Sequence, residues 1–272
     1  SIAFSPHRNY IASSGSQEDK SVVVWHTATG SIATGPLWGH TSRIYLFAFS
    51  PDNTLIFSCL EDKTIWVWDI RQDKFNSIDS ITCSHLGIYI ATGTSNHTEA
   101  GITNYAVRVW NVLTGRYAFP PLEGHTNCIR SLMFSPDKAN ICSGSDNTTV
   151  IVWGLDTCAN NMVGQPFTGH TGSVWLVVYS VDSIHIASGA DDATVRVWNT
   201  SMGTLIHTLD GYVPWVKLVA FSPDGNIIVS GGHGMINQWD VHSDTYKGSM
   251  ECNKKWTLSW VSFSPEGDRI IA

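Results

Sequence analysis

The sequence predicts an all-β protein in which one four-stranded sheet is repeated along the chain. Three observations carry that prediction. A Trp ends an apolar, β-branched run at Trp25, Trp68, Trp110, Trp153, Trp198 and Trp239, with successive gaps of 43, 42, 43, 45 and 41 residues. A fixed period of this length marks a repeat architecture. A short phrase returns in step with it: AFSP from Ala3, AFSPD from Ala48, MFSPD from Met133, VYSVD from Val178, AFSPD from Ala220, SFSPE from Ser262, and a worn copy, TCSHL, from Thr82. Finally, no segment longer than a few residues has the apolar period of a helix.

The elements of one unit follow in order. Residues 174–179 are rich in Val and aromatics and predict a first strand. Residues 180–183 turn the chain, 184–189 form a second strand, and 190–192 make a tight turn. Residues 194–198 alternate as a third strand should, and 204–209 supply the fourth. Other copies place Pro-Asp-Gly or Pro-Asp-Asn in the first turn, at Pro223 to Gly225 and Pro51 to Asn53. Pro presets φ, and Gly or Asn tolerates positive φ.

A sheet of this kind cannot cover both of its faces alone, so the units are expected to pack face to face around an axis. Six units hold four strands each. A seventh begins after Trp256 and reaches Ala272 within its second strand. One domain is expected over 1–272, with units at about 1–43, 44–77, 78–128, 129–173, 174–215 and 216–257 and a partial one at 258–272. Seven sheets with an incomplete seventh is the expected ring. Six sheets with a trailing hairpin is the alternative. The first residue is Ser1, so a longer parent protein is expected.

Charged residues make up only 14% of the chain and the net charge is −7. Without a basic run, a phosphate-binding surface for nucleic acid is disfavoured. No apolar stretch reaches membrane-span length. The six cysteines form no CxxC pair, which leaves zinc and redox motifs unsupported. Reduced thiols are expected, hence a cytoplasmic location. Cys83 fills a slot held elsewhere by Phe, so it is expected to be a small core residue.

Gly-His before the first strand, then the Phe-Ser-Pro-Asp phrase, then Trp followed by Asp or Asn resembles the WD40-repeat β-propeller family. Trp68-Asp69 and Trp239-Asp240 carry the dipeptide itself. The resemblance implies a buried hydrogen-bonded tetrad of His, Ser, Asp and Trp in many blades. His40, Ser58, Asp62 and Trp68 are separated by 18, 4 and 6 residues, as are His170, Ser188, Asp192 and Trp198. His125, Ser143, Asn147 and Trp153 match with Asn for Asp. A Ser-His-Asp set suggests hydrolysis, but a catalytic set is needed once and this one recurs. No nucleophile elbow precedes the serines, and no enzyme activity is expected. The third unit departs, with Lys74, Thr92 and Asn104 in the tetrad slots and about eight extra residues near Thr94 to Ile102.

The resemblance also implies a binding rim at the loops before the first strand and after the second. Counting back from each Phe of the phrase, and adding the residue before each tetrad acid, gives Arg43, Tyr45, Glu61, Arg130, Asp146, Trp175, Asp191, Trp215 and Lys217. Aromatics and Arg of this kind are enriched in interface hot spots. The expected function is a protein-interaction scaffold or ligand-sensing propeller without cofactor or metal. The partners are other proteins or peptides. Recognition of RNA or a modified peptide through the rim is the alternative, with an enzyme on a propeller scaffold behind it. Phrases such as Pro121-Leu122-Glu123-Gly124-His125-Thr126 resemble the arrays of fungal NACHT–WD proteins. That likeness implies an attached nucleotide-binding domain in the full-length chain.

Overall fold

β-branched and aromatic residues recur in nearly every element, and the described residues contain no helix. The computed structural model describes residues 2–14, 21–37, 44–50, 55–60, 65–70, 74–98, 101–114, 116–155, 162–210, 215–232, 234–243, 245–251 and 261–271. Within these, the backbone alone is described at 44–48, 59–60, 65–67, 69, 74–77, 96–98 and 101–103.

The first sheet runs β1 (Ile2–Phe4), β2 (Tyr10–Ser14), β3 (Val22–His26) and β4 (Ile32–Leu37) in chain order. The second runs β5 (Ile44–Phe49), β6 (Leu55–Leu60), β7 (Ile65–Asp69) and β8 (Lys74–Cys83). It continues without a break into β9 (Tyr89–Thr98) and β10 (Gly101–Asn111). Both β11 (Arg116–Tyr117) and β12 (Leu122–Glu123) pair with β10. β13 (Ile129–Phe134), β14 (Asn140–Ser145) and β15 (Val150–Gly154) form a three-stranded sheet. Bridges from Val150 to Phe167 and from Trp153 to Met162 supply a ragged fourth edge. Two regular four-stranded sheets follow. One is β16 (Val174–Tyr179), β17 (His185–Ala190), β18 (Val195–Asn199) and β19 (Leu205–Leu209). The other is β20 (Leu218–Phe221), β21 (Ile227–Gly232), β22 (Met235–Asp240) and β23 (Tyr246–Glu251). A hairpin of β24 (Ser262–Phe263) and β25 (Ile270–Ile271) ends the series. All pairings are antiparallel. First strands lie beside one another in succession: β1 by β5, β8 by β13, β13 by β16, β16 by β20, and β20 by β24. This is the arrangement of propeller blades.

The core lies between neighbouring sheets and follows from the third strand of each unit. Alternate residues of a strand face opposite sides. In Val195-Arg196-Val197-Trp198 the two valines therefore face one neighbour and Trp198 the other. Val195 and Val197 pack in one cluster with Val216, Val219, Ile228 and Trp239 of the next blade. Val150 and Trp198 share the cluster one blade earlier, as do Val107, Val109 and Trp153 one blade before that. Each Trp thus closes on the valines of the blade before it.

Ser of the recurring phrase closes the first turn of every unit. The hydroxyls of Ser5, Ser50, Ser84, Ser135, Ser180, Ser222 and Ser264 each accept the backbone N–H five residues on, at 2.9–3.1 Å. At Ser135, Ser180 and Ser222 the same hydroxyl donates to the Asp two residues on. Residues such as Lys138 and Ser183 sit at positive φ in these turns, where Gly225 stands in another copy.

Between the second and third units the pattern changes. Only 15 residues separate Trp68 from Cys83, against 23 to 26 for the same interval elsewhere. There is no length for a return loop. The fourth strand of one unit runs straight into the first strand of the next, as β8, across the unit boundary expected after residue 77. The extra residues near Thr94 to Ile102 lengthen the β9–β10 hairpin, so that β9 pairs with β8 from Phe75 to Cys83. Cys83 was expected in the core but is exposed. Ile81, on the same face of β8, is exposed too, so nothing among the described residues covers that face. Among the described residues Cys142 is the buried thiol.

A glycine in the second strand sets the spacing of the blades. A Cβ on Gly144 would lie 2.7 Å from Val174 and 2.9 Å from Val177. On Gly189 it would lie 2.8 Å from Val219 and 2.9 Å from Val216. Gly93 stands in the same relation to Ile129. The next blade's first strand occupies the room a side chain would need. Gly189→Ala should therefore lower stability by about 1–3 kcal/mol through overpacking, read as a fall in the thermal midpoint. An unchanged midpoint would contradict this packing.

Candidate functional site

Each buried indole N–H needs an acceptor, and the second strand presents a hydroxyl two residues along from the paired position. The Nε1–H of Trp25, Trp68, Trp153 and Trp198 donates to the Oγ of Ser13, Ser58, Ser143 and Ser188 respectively, each at 2.8 Å. Trp110 donates to Thr92 Oγ1 at 3.1 Å, so Thr serves in the divergent third unit. In that unit Asn104 donates to Glu123 at 2.7 Å, and the side chain of Lys74 lies outside the described residues.

In two units the network continues. His170 lies 2.8 Å from Ser188 Oγ through Nε2 and 2.8 Å from Asp192 Oδ2 through Nδ1. A carboxylate only accepts, so Nδ1 carries the proton and Nε2 accepts from the Ser188 hydroxyl. Trp198 thus donates to Ser188, Ser188 to His170 and His170 to Asp192, which ends the series as acceptor. Burial holds the His170 imidazole below its ordinary value. Burial opposes ionisation of Asp192 too. Hydrogen bonds from Thr194, the Thr171 N–H and His170 outweigh it and keep the carboxyl below the usual range. The pair is therefore a neutral imidazole bonded to a carboxylate. His125 contacts Ser143 at 2.7 Å and Asn147 at 3.3 Å, the longer reach going with the uncharged amide. Burial drives its pKa down to about 4. His40 and Asp62 lie outside the described residues.

The rim is built by β-bulges. Pairing skips one residue in four first strands: Tyr45 in β5, Asp79 in β8, Arg130 in β13 and Trp175 in β16. A bulge leaves its extra residue out of the ladder and re-aims the side chain. The residues just before Arg130 and Trp175, and before Lys217 in the next blade, are apolar and fully buried: Ile129, Val174 and Val216. Arg130 holds Asp146 through two nitrogens, with Nε to Oδ1 at 2.9 Å and Nη2 to Oδ2 at 2.5 Å. This bond holds the Arg130 pKa up. Trp175 Nε1 donates to Asp191 Oδ1 at 2.6 Å. The Arg130 guanidinium lies 5.2 Å from the Trp175 ring centre. Lys217 Nζ lies 4.7 Å from the same ring and 5.6 Å from that of Trp215. Trp215 is 38% exposed. Asp146, Arg130, Asp191, Trp175, Lys217 and Trp215 thus form one ladder across three blades. Arg43 and Glu61, and the side chain of Tyr45, lie outside the described residues.

Asp79 belongs to the same row and was not among the expected rim residues. It accepts from Ser95 Oγ at 2.8 Å, and burial raises its pKa. Counting four residues back from Cys83, as from each Phe, finds it.

Two predictions follow from the tetrads. Ser188→Ala should strand the Trp198 N–H and His170 Nε2 together, at about 1–3 kcal/mol for each orphaned group. The thermal midpoint should drop by several degrees, and an unchanged value would contradict the network. His125 stays neutral in the folded chain down to about pH 4, whereas the unfolded imidazole takes its proton near 6.5. Between those values the unfolded chain binds the extra proton, so stability falls as pH falls, by up to roughly 3 kcal/mol. Midpoints of the His125→Gln variant should vary less between pH 7 and 4.5 than those of the parent chain.

A family model described as "WD domain, G-beta repeat" matches residues 1–26, 31–69, 119–154, 162–199 and 203–240. Among similar proteins, the nuclear distribution protein PAC1 of Arthroderma otae is 26% identical over 166 residues. That alignment covers 57% of this chain and 35% of the relative. PAC1 of Fusarium vanettenii is 26% identical over 259 residues, covering 84% of this chain and 57% of the relative. The Lissencephaly-1 homolog of Caenorhabditis briggsae is 28% identical over 109 residues, covering 40% and 28%. The chain spans less than two thirds of the length of each. Five matched repeats take in more than half of the residues and fall in step with the Trp and Phe-Ser-Pro-Asp periods, and the chain belongs to the WD40-repeat family.

Proposed function

We propose that this chain is a non-catalytic protein-interaction propeller whose rim, from Asp79 through Arg130 and Trp175 to Lys217 and Trp215, is the contact surface. The observation that carries this reading is the cation–π ladder joining three blades. It holds two indoles in fixed positions at low conformational cost, with one of them substantially exposed. Rigid aromatics of this kind, flanked by Arg, are the usual anchors of protein interfaces. Arg43, Tyr45 and Glu61 would extend the same surface on the second blade.

The Ser-His-Asp sets support the non-catalytic reading. Ser143 and Ser188 are fully buried and each already accepts an indole N–H. Neither hydroxyl is placed to meet a substrate. The tetrads of His125 and His170 then serve as struts that keep the rim in register, and His40 would do the same on the second blade. Within a longer protein the propeller would act as the sensing or scaffolding part, inside the cell, coupled to another unit such as a nucleotide-binding domain.

The test is an affinity purification with the chain and with Trp175→Ala plus Trp215→Ala, followed by titration of each recovered partner. The double variant should bind more than tenfold more weakly at an unchanged melting midpoint. Full affinity in the double variant would overturn the site.

A further inference from the structure

The ladder at the rim is asymmetric in how its charges are matched. Arg130 is neutralised by two bonds to Asp146. The Trp175 N–H is taken by Asp191 Oδ1. Lys217 has neither kind of partner: its ammonium rests over the Trp175 and Trp215 rings, and among the described residues no carboxylate lies within ion-pair distance of it. It is also exposed. Lys217 is therefore the one cation in the described ladder whose charge no described carboxylate matches.

Resting on the reading of the rim as a protein-contact surface, we infer that the Lys217 site takes an extended acidic peptide segment, with a carboxylate on Lys217 and an apolar or aromatic neighbour on Trp215. Three features select that ligand. The space over two indole faces is where a cationic guest such as a methylated lysine would sit, and here the chain's own ammonium fills it. A second cation would meet Lys217 at close range. A phosphate group calls for several convergent cationic donors. The rim offers one open ammonium, with Asp191 bonded to the ring beneath it and Asp146 and Asp79 further along the row, so a single negative charge is matched and a double one is opposed. Asp191 uses only Oδ1 on Trp175 and keeps Oδ2 to accept a backbone or side-chain N–H from the ligand. A carboxylate flanked by N–H groups and an apolar side chain is what a peptide presents.

The test uses a random 12-residue peptide library displayed on phage, selected on the chain at low salt. Enriched sequences are then synthesised with a fluorophore. Their affinities are measured by anisotropy for the chain, for Lys217→Met, for Lys217→Glu, and for Trp175→Ala plus Trp215→Ala, each with its melting midpoint. Enriched peptides should carry Asp or Glu beside an aromatic or large aliphatic residue. Replacing that acid by Gln should weaken binding at least tenfold, as should Lys217→Met. Lys217→Glu should reverse the preference toward Lys-containing peptides, and a phosphoserine in place of the acid should not improve affinity. Peptides that need both tryptophans but bind equally with Gln, or keep their affinity in Lys217→Met, would overturn the acidic ligand and leave the rim standing. Peptides that bind the double Trp variant as well as the parent would overturn the rim itself, and an empty selection would overturn both.

Discussion

An indole N–H shut away from water must donate to something, and in this chain it donates to a hydroxyl on the neighbouring strand. Five of the described blades contain that bond, from Trp25, Trp68, Trp110, Trp153 and Trp198. It fixes the third strand against the second, because donor and acceptor are diagonal neighbours and a slip of one residue would turn the Trp to the wrong face. With the Trp held there, the two valines before it must face the next blade. The apolar clusters between sheets follow from that orientation. Adding a buried His to the hydroxyl ties the loop before the first strand to the turn after the second, so the network reaches from the core to the edge where the rim begins.

Close approach between blades is the second constraint. The glycine after the tetrad Ser leaves room for the next first strand, whose Val or Ile side chains enter the gap. Four of the first strands carry a bulge at one register, and in three of them it sets Asp79, Arg130 and Trp175 out of the ladder. The rim is therefore a consequence of the packing below it. Scaffold residues set where the rim side chains emerge, and their chemical type is free to vary: Asp79, Arg130 and Trp175 share a backbone geometry and little else.

The second and third units show how far the pattern can be distorted while these bonds persist. A missing return loop forces β8 to serve two sheets. The lengthened β9–β10 hairpin pairs with the first half of β8, on the edge away from β7. Trp110 still finds a hydroxyl, now from Thr92. Contacts at the level of the second and third strands survive, while the connection between blades changes. The repeat is thus held by local bonds inside each blade more than by a uniform linker.

The period of Trp and the Phe-Ser-Pro-Asp phrase determined the all-β repeat, because both recur wherever the same hydrogen bonds must be made. The 18, 4 and 6 spacing of His170, Ser188, Asp192 and Trp198 was readable for the same reason: residues on adjacent strands of a short hairpin are a fixed distance apart in sequence. So was the place of Arg130, Trp175 and Lys217, each four residues before an aromatic of the phrase. Other features required tertiary contacts. The phrase Ser was visible, but its role as the acceptor of a turn N–H was not. The closeness of Gly189 to Val216 and Val219 depends on the spacing of two blades. Cys83 looked like core because it stands where Phe stands elsewhere, yet no described residue covers its face of β8. The ladder from Asp146 to Trp215 spans three blades separated by some 40 residues of sequence each. Sequence sets which residues reach the rim, but which of them neutralise one another, and which ammonium is left open, depends on distances between blades that only the packed structure fixes.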